Sequence, residues 1–329
     1  MKSSSIARRI FIAGAALALA VSVAAQQSAV QAFPSKPIRL IVAFPPGGST
    51  TPVARLVGQK LTERLGQPVL VDNRPGANGV IASEELLRSP PDGHTILLVV
   101  NTHSLNPLTM ATLPYDNKDF AAVSTLYRFE LVLVGHPSVP AANLAELVAL
   151  AKAQPGKLNF AVGDSVGQTH LASETFNTIA GTRIQVVPFT GSGPALTSTL
   201  GGHVDVAFAS PTAVISMIKA GKLKGFAISG NSRLPALPEV PTFNEAGMPG
   251  VDVGGWAGLL APAATPKPIV NKLATELAAI MALPEVKEAL GAMGLQSLAI
   301  PPEQFTQMIK SDTARFDNLI KTANIKLSK

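Results

Sequence analysis

The sharpest chemical pattern in the chain is Gly163-Asp164-Ser165-Val166-Gly167, a serine set between two glycines in a G-x-S-x-G string. After a strand and before a helix, that string builds a nucleophile elbow, with the serine hydroxyl bared for acyl transfer. Serine catalysis also needs a downstream acid and then a histidine to take the hydroxyl proton. Glu174 is the only acid between Ser165 and His203, the last histidine, and it falls in a helical stretch. His170 follows Ser165 with no acid between them. The triad order nearly fails, so the chain reads as a non-enzyme, with an exported serine hydrolase using Ser165 as the rival.

Other polar residues cluster in a way that suits reversible binding. Phe44-Pro45-Pro46-Gly47-Gly48-Ser49-Thr50-Thr51 lies between a strand and a helix. Gly47 and Gly48 allow close backbone approach, and the hydroxyls of Ser49, Thr50 and Thr51 join helix N–H groups in facing an anion. The string lacks both G-x-x-x-x-G-K and G-x-G-x-x-G, so it is no phosphate fingerprint. An ordinary turn with an N-cap explains it equally well. Asn73 to Gly79, with Asn78, follows the second strand, and Asn101 to Asn106, with Thr102, His103 and Asn106, follows the third. In an open α/β sheet this edge is where ligands sit.

Metal chemistry is not indicated. His94, His103, His136, His170 and His203 show no i, i+4 pairing and no His-Glu-x-x-His, and no acidic pair stands out. Neither a metal nor a cofactor is expected. Arg128, inside an apolar run, has two readings: it snorkels to an edge, or its planar fork grips a carboxylate.

Alternating elements must position these loops. Ile38 to Val42 reads as a buried strand, Pro52 to about Leu65 as a helix, Val69 to Val71 as a strand, Gly79 to Leu87 as a helix and Thr95 to Val100 as a strand. That order predicts a mainly parallel sheet covered by helices on both faces. Leu126 to Val134 reads as one strand crossing out of the first lobe. A second alternating unit runs from Leu158 to Ser229. Gly254 to Leu260 reads as the return crossing, and helices Pro266 to Ala282 and Pro302 to about Leu319 pack back on the first lobe.

Composition narrows the function class. Lys2, Arg8 and Arg9 precede an apolar run from Ile10 to about Val23, with small-residue exits after Ala24 or Ala25 and after Ala32. This is the anatomy of a cleaved signal peptide, so a periplasmic location is expected. Arg8-Arg9 leaves both the general and the twin-arginine export routes open. The whole chain carries 27 Lys+Arg against 21 Asp+Glu; loss of three basic residues leaves 24 against 21, a net of +3. No Lys/Arg cluster tracks a phosphate backbone and only 5% of residues are aromatic, which argues against nucleic-acid binding. With no cysteine, stability must come from a core. About 300 mature residues suit two lobes.

Taken together, the strings resemble the Bug family, the TctC-like extracytoplasmic receptors of tripartite tricarboxylate transporters. The matching stretches include Phe33-Pro34-Ser35-Lys36-Pro37-Ile38-Arg39, Phe44 to Thr50, Asp72 to Gly79, Pro91-Asp92-Gly93-His94-Thr95 and Leu113-Pro114-Tyr115-Asp116. Gly201 to Asp205, Ala220 to Leu223, Pro241-Thr242 with Glu245-Ala246-Gly247, and Trp256 to Leu259 continue the match. The resemblance implies a two-lobed Venus-flytrap α/β fold, the second lobe inserted into the first, closing on a small carboxylate or dicarboxylate held by backbone amides and ordered waters. It also implies membrane permease subunits as partners, and binding loops Phe44 to Thr51, Asn101 to Asn106, Ser165 to Thr169, Thr190 to Gly193 and Ala209 to Pro211. Gly167, Thr169, Thr190, Gly191 and Ser210 enter the candidate site on that basis, and a monomer is the default. The expected layout is a signal peptide over 1–32, lobe 1 over 33–135 and 257–329, and lobe 2 over 136–256. Thr51 and Ala209 stand where the family often has Asp. Their lack of charge favours a neutral or aromatic body with carboxylate ends over an amino acid, with Arg128 a candidate for the second end. A ligand-sensing receptor that presents itself to a signalling partner is the other rival.

Overall fold

The alternating pattern builds two sheets. The computed structural model describes residues 33–46, 50–163, 167–251 and 253–322. The proposed signal segment, Gly47, Gly48, Ser49 and Ser165 lie outside the described residues. In chain order the elements are β1 (Ile38–Val42), α1 (Thr50–Leu65), β2 (Val69–Asn73), α2 (Val80–Leu87), β3 (Thr95–Val100), α3 (Thr102–Thr109), β4 (Phe120–Phe129) and β5 (Val132–Gly135). Then come α4 (Leu144–Ala153), β6 (Asn159–Val162), α5 (Gln168–Ala180), β7 (Gln185–Pro188), α6 (Ser192–Leu200), β8 (Val206–Ala209), α7 (Pro211–Lys219) and β9 (Lys224–Ile228). The chain finishes with β10 (Gly255–Pro262), α8 (Lys267–Ala282), α9 (Pro284–Ala292), β11 (Leu295–Ser297) and α10 (Pro302–Thr322).

The first sheet has the order β11-β4-β10-β3-β1-β2 and the second β7-β6-β8-β5-β9. Within the first, β1 runs parallel to β2 and β3, while β10 is antiparallel to β3 and β4. Within the second, β6 runs parallel to β7 and β8, and β5 is antiparallel to β8 and β9. The second lobe is thus an insertion between β4 and β10, as the sequence pattern predicts.

Both sheets are covered on both faces, which is why their strands read as continuous apolar runs rather than alternating ones. In β1, Ile38, Leu40 and Val42 pack against Val53, Val57 and Leu61 of α1 and Leu273 and Leu277 of α8. Ile41 faces the opposite layer with Leu97, Leu260 and Phe305 of α10. In lobe 2, Phe160 and Phe208 pack with Phe176 of α5 and Phe243. Among the described residues, no helix is long and apolar enough to cross a membrane.

Several features depart from the sequence reading, among them α9 and β11, for which it gave no element. Leu126 to Val134 is two strands, because the chain changes sheets at Glu130-Leu131. Glu130 turns its carboxylate to accept from Arg128 Nε at 2.7 Å and Ser229 Oγ at 2.7 Å, and that polar knot interrupts the apolar run. The lobe change therefore falls between Phe129 and Val132, a few residues ahead of the expected 135, while the return strand β10 (Gly255–Pro262) lies where Gly254 to Leu260 was read as the crossing. Residues 102–109, read as a loop, form α3; Pro107 inside it is a residue that ordinarily marks a break. α7 was also not anticipated, and it starts with Pro211 in its first turn, where the missing N–H is harmless.

Candidate functional site

The strand directions decide where a ligand can sit. In lobe 1 the ends of β1 and β2 meet at Val42 and Asn73, and Val100 at the end of β3 pairs with Ala257 near the start of β10. In lobe 2, Ala209 at the end of β8 pairs with Val132, the first residue of β5 past the crossing. The carboxyl ends of both sets of parallel strands therefore point at each other across the hinge, the placement expected for ligands in open α/β sheets.

Between those ends lies a cleft of about 800 Å³. Lobe 1 lines it with Ala43, Phe44, Pro45 and the loop 76–79, and lobe 2 with Gly163 and the loop 188–191. None of these described lining residues is charged. Apolar faces come from Phe44 and Pro45 on one side and Pro188 and Phe189 on the other.

The helices that start beside the cleft leave their first N–H groups without side-chain partners. α3, α5, α6 and α7 have Asn101, Gly167, Gly191 and Ser210 at their N-caps, none with a side-chain capping bond, and none carries an acid in its first turn. At the far end of lobe 2 Asn143 caps α4 by accepting from the Glu146 N–H, while α8 and α9, which do not line the cleft, also start without a side-chain cap. Uncapped helix starts are donors with partial positive charge, suited to a carboxylate.

Buried side chains hold the loops in place. Asn73 Nδ2 donates to Phe44 O and to Thr51 Oγ1, both at 2.8 Å, pinning residues on both flanks of the first candidate loop. Asn106 Nδ2 donates to Asn78 O and Tyr115 Oη, both at 3.2 Å, tying α3 to the cleft lip. That lip is tightly bent: Ala77 and Asn78 have φ of 45° and 53°, a left-handed conformation costly for non-glycine residues. Thr169 Oγ1 accepts from the Gly163 N–H at 3.0 Å, and Gly191 N donates to Gly163 O at 2.7 Å. A Cβ on Gly163 would sit 2.7 Å from Ser192 Oγ and 2.8 Å from Ser192 N, so only glycine lets the start of α6 come this close.

The candidate residues thus divide by position. Phe44, Asn78, Thr190 and Gly191 line the cleft. Thr51 and Thr169 are tied to the framework, and Asn106 lies beneath the lip. His103 is buried, stacked on Tyr115 at 5.8 Å and edge-on to Phe120 at 4.9 Å, and burial pushes its pKa down to about 4. Arg128 is paired with Glu130 beside the hinge. Thr50, Thr102, Gly167 and Ser210 flank the cleft at helix starts without lining it. Gly47, Gly48, Ser49 and Ser165 fall outside the described residues. Phe189 and Asn73 were missing from the sequence-based set; each follows or ends a strand at the ligand edge, the one signal that pointed to them.

A second depression, of about 530 Å³, involves Glu174, Asn177 and Arg183. It lies at the start of β7, the end of the strands away from lobe 1, and Asn177 there is committed to the Ile184 N–H and C=O. Among the described residues no cluster of His, Cys, Asp and Glu could hold a metal ion.

Comparison with known proteins follows this geometry. The TctC model, described as the tripartite tricarboxylate transporter family receptor, matches residues 53–325. A structure of Rpa4515 from R. palustris with adipate is 31% identical with a TM-score of 0.83, over 89% of this chain and 99% of that one. The periplasmic binding protein BugD is 30% identical with a TM-score of 0.80, over 89% and 99%. MatC from Rhodopseudomonas palustris with bound malate is 31% identical with a TM-score of 0.76, over 88% and 100%.

Proposed function

Because the chain belongs to the tripartite tricarboxylate transporter receptors, periplasmic solute-binding proteins of the TctC and Bug type, we propose that it captures a small organic carboxylate or dicarboxylate and hands it to integral-membrane permease subunits. Its first 32 residues act as the export signal, and the receptor binds without making or breaking covalent bonds. The observation that carries the ligand class is an uncharged cleft ringed by uncapped helix starts. Those N–H groups satisfy a carboxylate, and no described lining side chain offers an ammonium group a negative charge. Thr51 is occupied by Asn73 and Ala209 is buried, so neither position supplies the acid an amino acid would need. Phe44 and Phe189, one from each lobe, favour a ligand with an apolar body, whether methylene chain or aromatic ring. The solved relatives with adipate and malate agree with a dicarboxylate.

Phe44, Asn78, Thr190 and Gly191, with the loop 47–49, Ser165 and, once the lobes close, Gly167, form the proposed contact set. Closure of the lobes would exclude water and strengthen the hydrogen bonds to the carboxylate. The test is a thermal-shift screen of the mature protein against mono-, di- and tricarboxylates, aromatic acids and amino acids. A ligand binding only the folded state at about 100 times its Kd adds roughly 2.7 kcal/mol of stability. A selective response to one carboxylate class supports the reading. A response confined to amino acids, or to ester hydrolysis without binding, overturns it.

A further inference from the structure

Asn101 is 1% exposed, yet its side-chain oxygen is buried and accepts no hydrogen bond, and its side chain does not cap the helix it precedes. A buried amide oxygen without a donor is costly, and native proteins rarely keep one without a use. A donor of the other lobe lies close by. Gln168 Nε2, on the first residue of α5, donates to Val253 O at 3.1 Å and has a second hydrogen to give. Asn101 Oδ1 and Gln168 Nε2 each lie 2.7 Å from the point that a Cβ on Gly255 would occupy. The two groups therefore converge, acceptor from lobe 1 and donor from lobe 2, on space that exists only because the return crossing has glycine there.

Both groups sit on elements that carry ligand loops. Asn101 opens α3, whose Asn106 holds Asn78 at the cleft lip. Gln168 opens α5, directly after the loop at 163–167. The first turns of α5 already lean across the hinge, where Leu171 packs with Leu105 of α3 and Phe316 of α10. Neither Asn101 nor Gln168 lines the cleft.

We infer that Asn101 and Gln168 form a latch between the lobes: on closure Gln168 Nε2 donates to Asn101 Oδ1, and this bond sets ligand affinity without touching the ligand. The pair are positioning residues, and the inference rests on the two-lobed binding reading given above. The latch explains why a lone acceptor is kept buried at the hinge, and why Gly255 occupies the crossing between them.

The test uses the full mature chain with Asn101→Ala, Gln168→Ala and the double variant. Urea denaturation without ligand should find Asn101→Ala as stable as the parent or more so, since no hydrogen bond is lost. The chain has no cysteine, so spin labels at Arg88→Cys and Thr197→Cys, exposed sites on the two lobes, report the interlobe distance cleanly. Each variant should shift that distance towards open forms, alone or with 10 mM adipate. Calorimetry should show adipate binding weakened about tenfold in either single variant and little further in the double, as for two halves of one bond. Three results overturn the latch: a lower urea midpoint for Asn101→Ala, which marks a framework role; distances unchanged in every condition; or single effects that add. Failure of the parent to bind adipate counts against the dicarboxylate reading alone, because the unliganded distances still decide the latch.

Discussion

Acid should loosen this protein through His103. The imidazole is 3% exposed, sits between Tyr115 and Phe120, and has a buried Nδ1 with no hydrogen-bond partner. Placing a proton there creates a charge with nothing to receive it, so burial lowers the pKa from 6.5 to about 4. The sign follows from where the proton binds. Above pH 6.5 the ring is neutral in both states and costs nothing. As the pH falls from 6.5 towards 4 the unfolded chain takes up the proton first, and stability is lost. Between pH 7 and pH 5 that loss is about 2 kcal/mol, approaching roughly 3 kcal/mol below pH 4. The assay is urea denaturation at pH 7, 6 and 5, with the protein compared with His103→Phe, which keeps an apolar ring and cannot titrate. The variant's overall stability can differ by a constant amount; the pH slope is what the reasoning addresses. A difference between the two proteins that grows by about 2 kcal/mol from pH 5 to pH 7 supports it. Parallel pH profiles refute it and would mean that His103 is hydrated or paired when protonated. Because the folded ring stays neutral until about pH 4, ligand affinity of the folded protein should hold over the same pH window.

The framework of the cleft is open to two direct tests. Asn73→Ala removes donors to Phe44 O and Thr51 Oγ1, and should cost about 1–2 kcal/mol in urea denaturation while weakening carboxylate binding in calorimetry. Asn73→Asp, which keeps the shape and loses the donor, should behave the same way, and a silent Asn73→Asp would show that the loop is held by other contacts. Gly163→Ala should drive the start of α6 away from the cleft and lower affinity at least about tenfold, or roughly 1.4 kcal/mol. Gly291→Ala in α9, where a Cβ meets nothing within 4 Å, is the control and should bind as the parent does.

Much of this architecture was legible in the sequence for a local reason. Strand and helix periods report which segments are buried on one face or two, so the alternation of apolar strands with amphipathic helices from Ile38 to Val100 and again from Leu158 to Ser229 implied helix-covered, mainly parallel sheets; both sheets are mixed, because the strands at the crossings, β5 and β10, run antiparallel to their neighbours. Glycine and proline at strand ends, as in Phe44 to Thr51 and Asn73 to Gly79, marked the edge where the backbone could approach a ligand. Where a local signal conflicted with tertiary demand, the reading failed. The polar string Asn101 to Asn106, read as a loop, opens α3, and the apolar run through Leu126 to Val134 hid a change of sheet at Glu130.

What the sequence could not decide was which polar side chains of a loop face the ligand and which face the protein. Asn106, Thr51 and Thr169 look equally suited to a carboxylate when read along the chain. Only the packed structure turns Asn106 towards Asn78, 28 residues away, and sets Asn73 against Thr51, 22 residues away. It also brings Phe189 of one lobe to the cleft that Phe44 lines from the other, and aims Gln168 and Asn101 at the same point above Gly255. Residue type and local period determine which elements form and what chemistry each loop can offer. Distances between loops far apart in the chain depend on how the two sheets are stacked and joined at the hinge, and those distances decide which residues border the cleft.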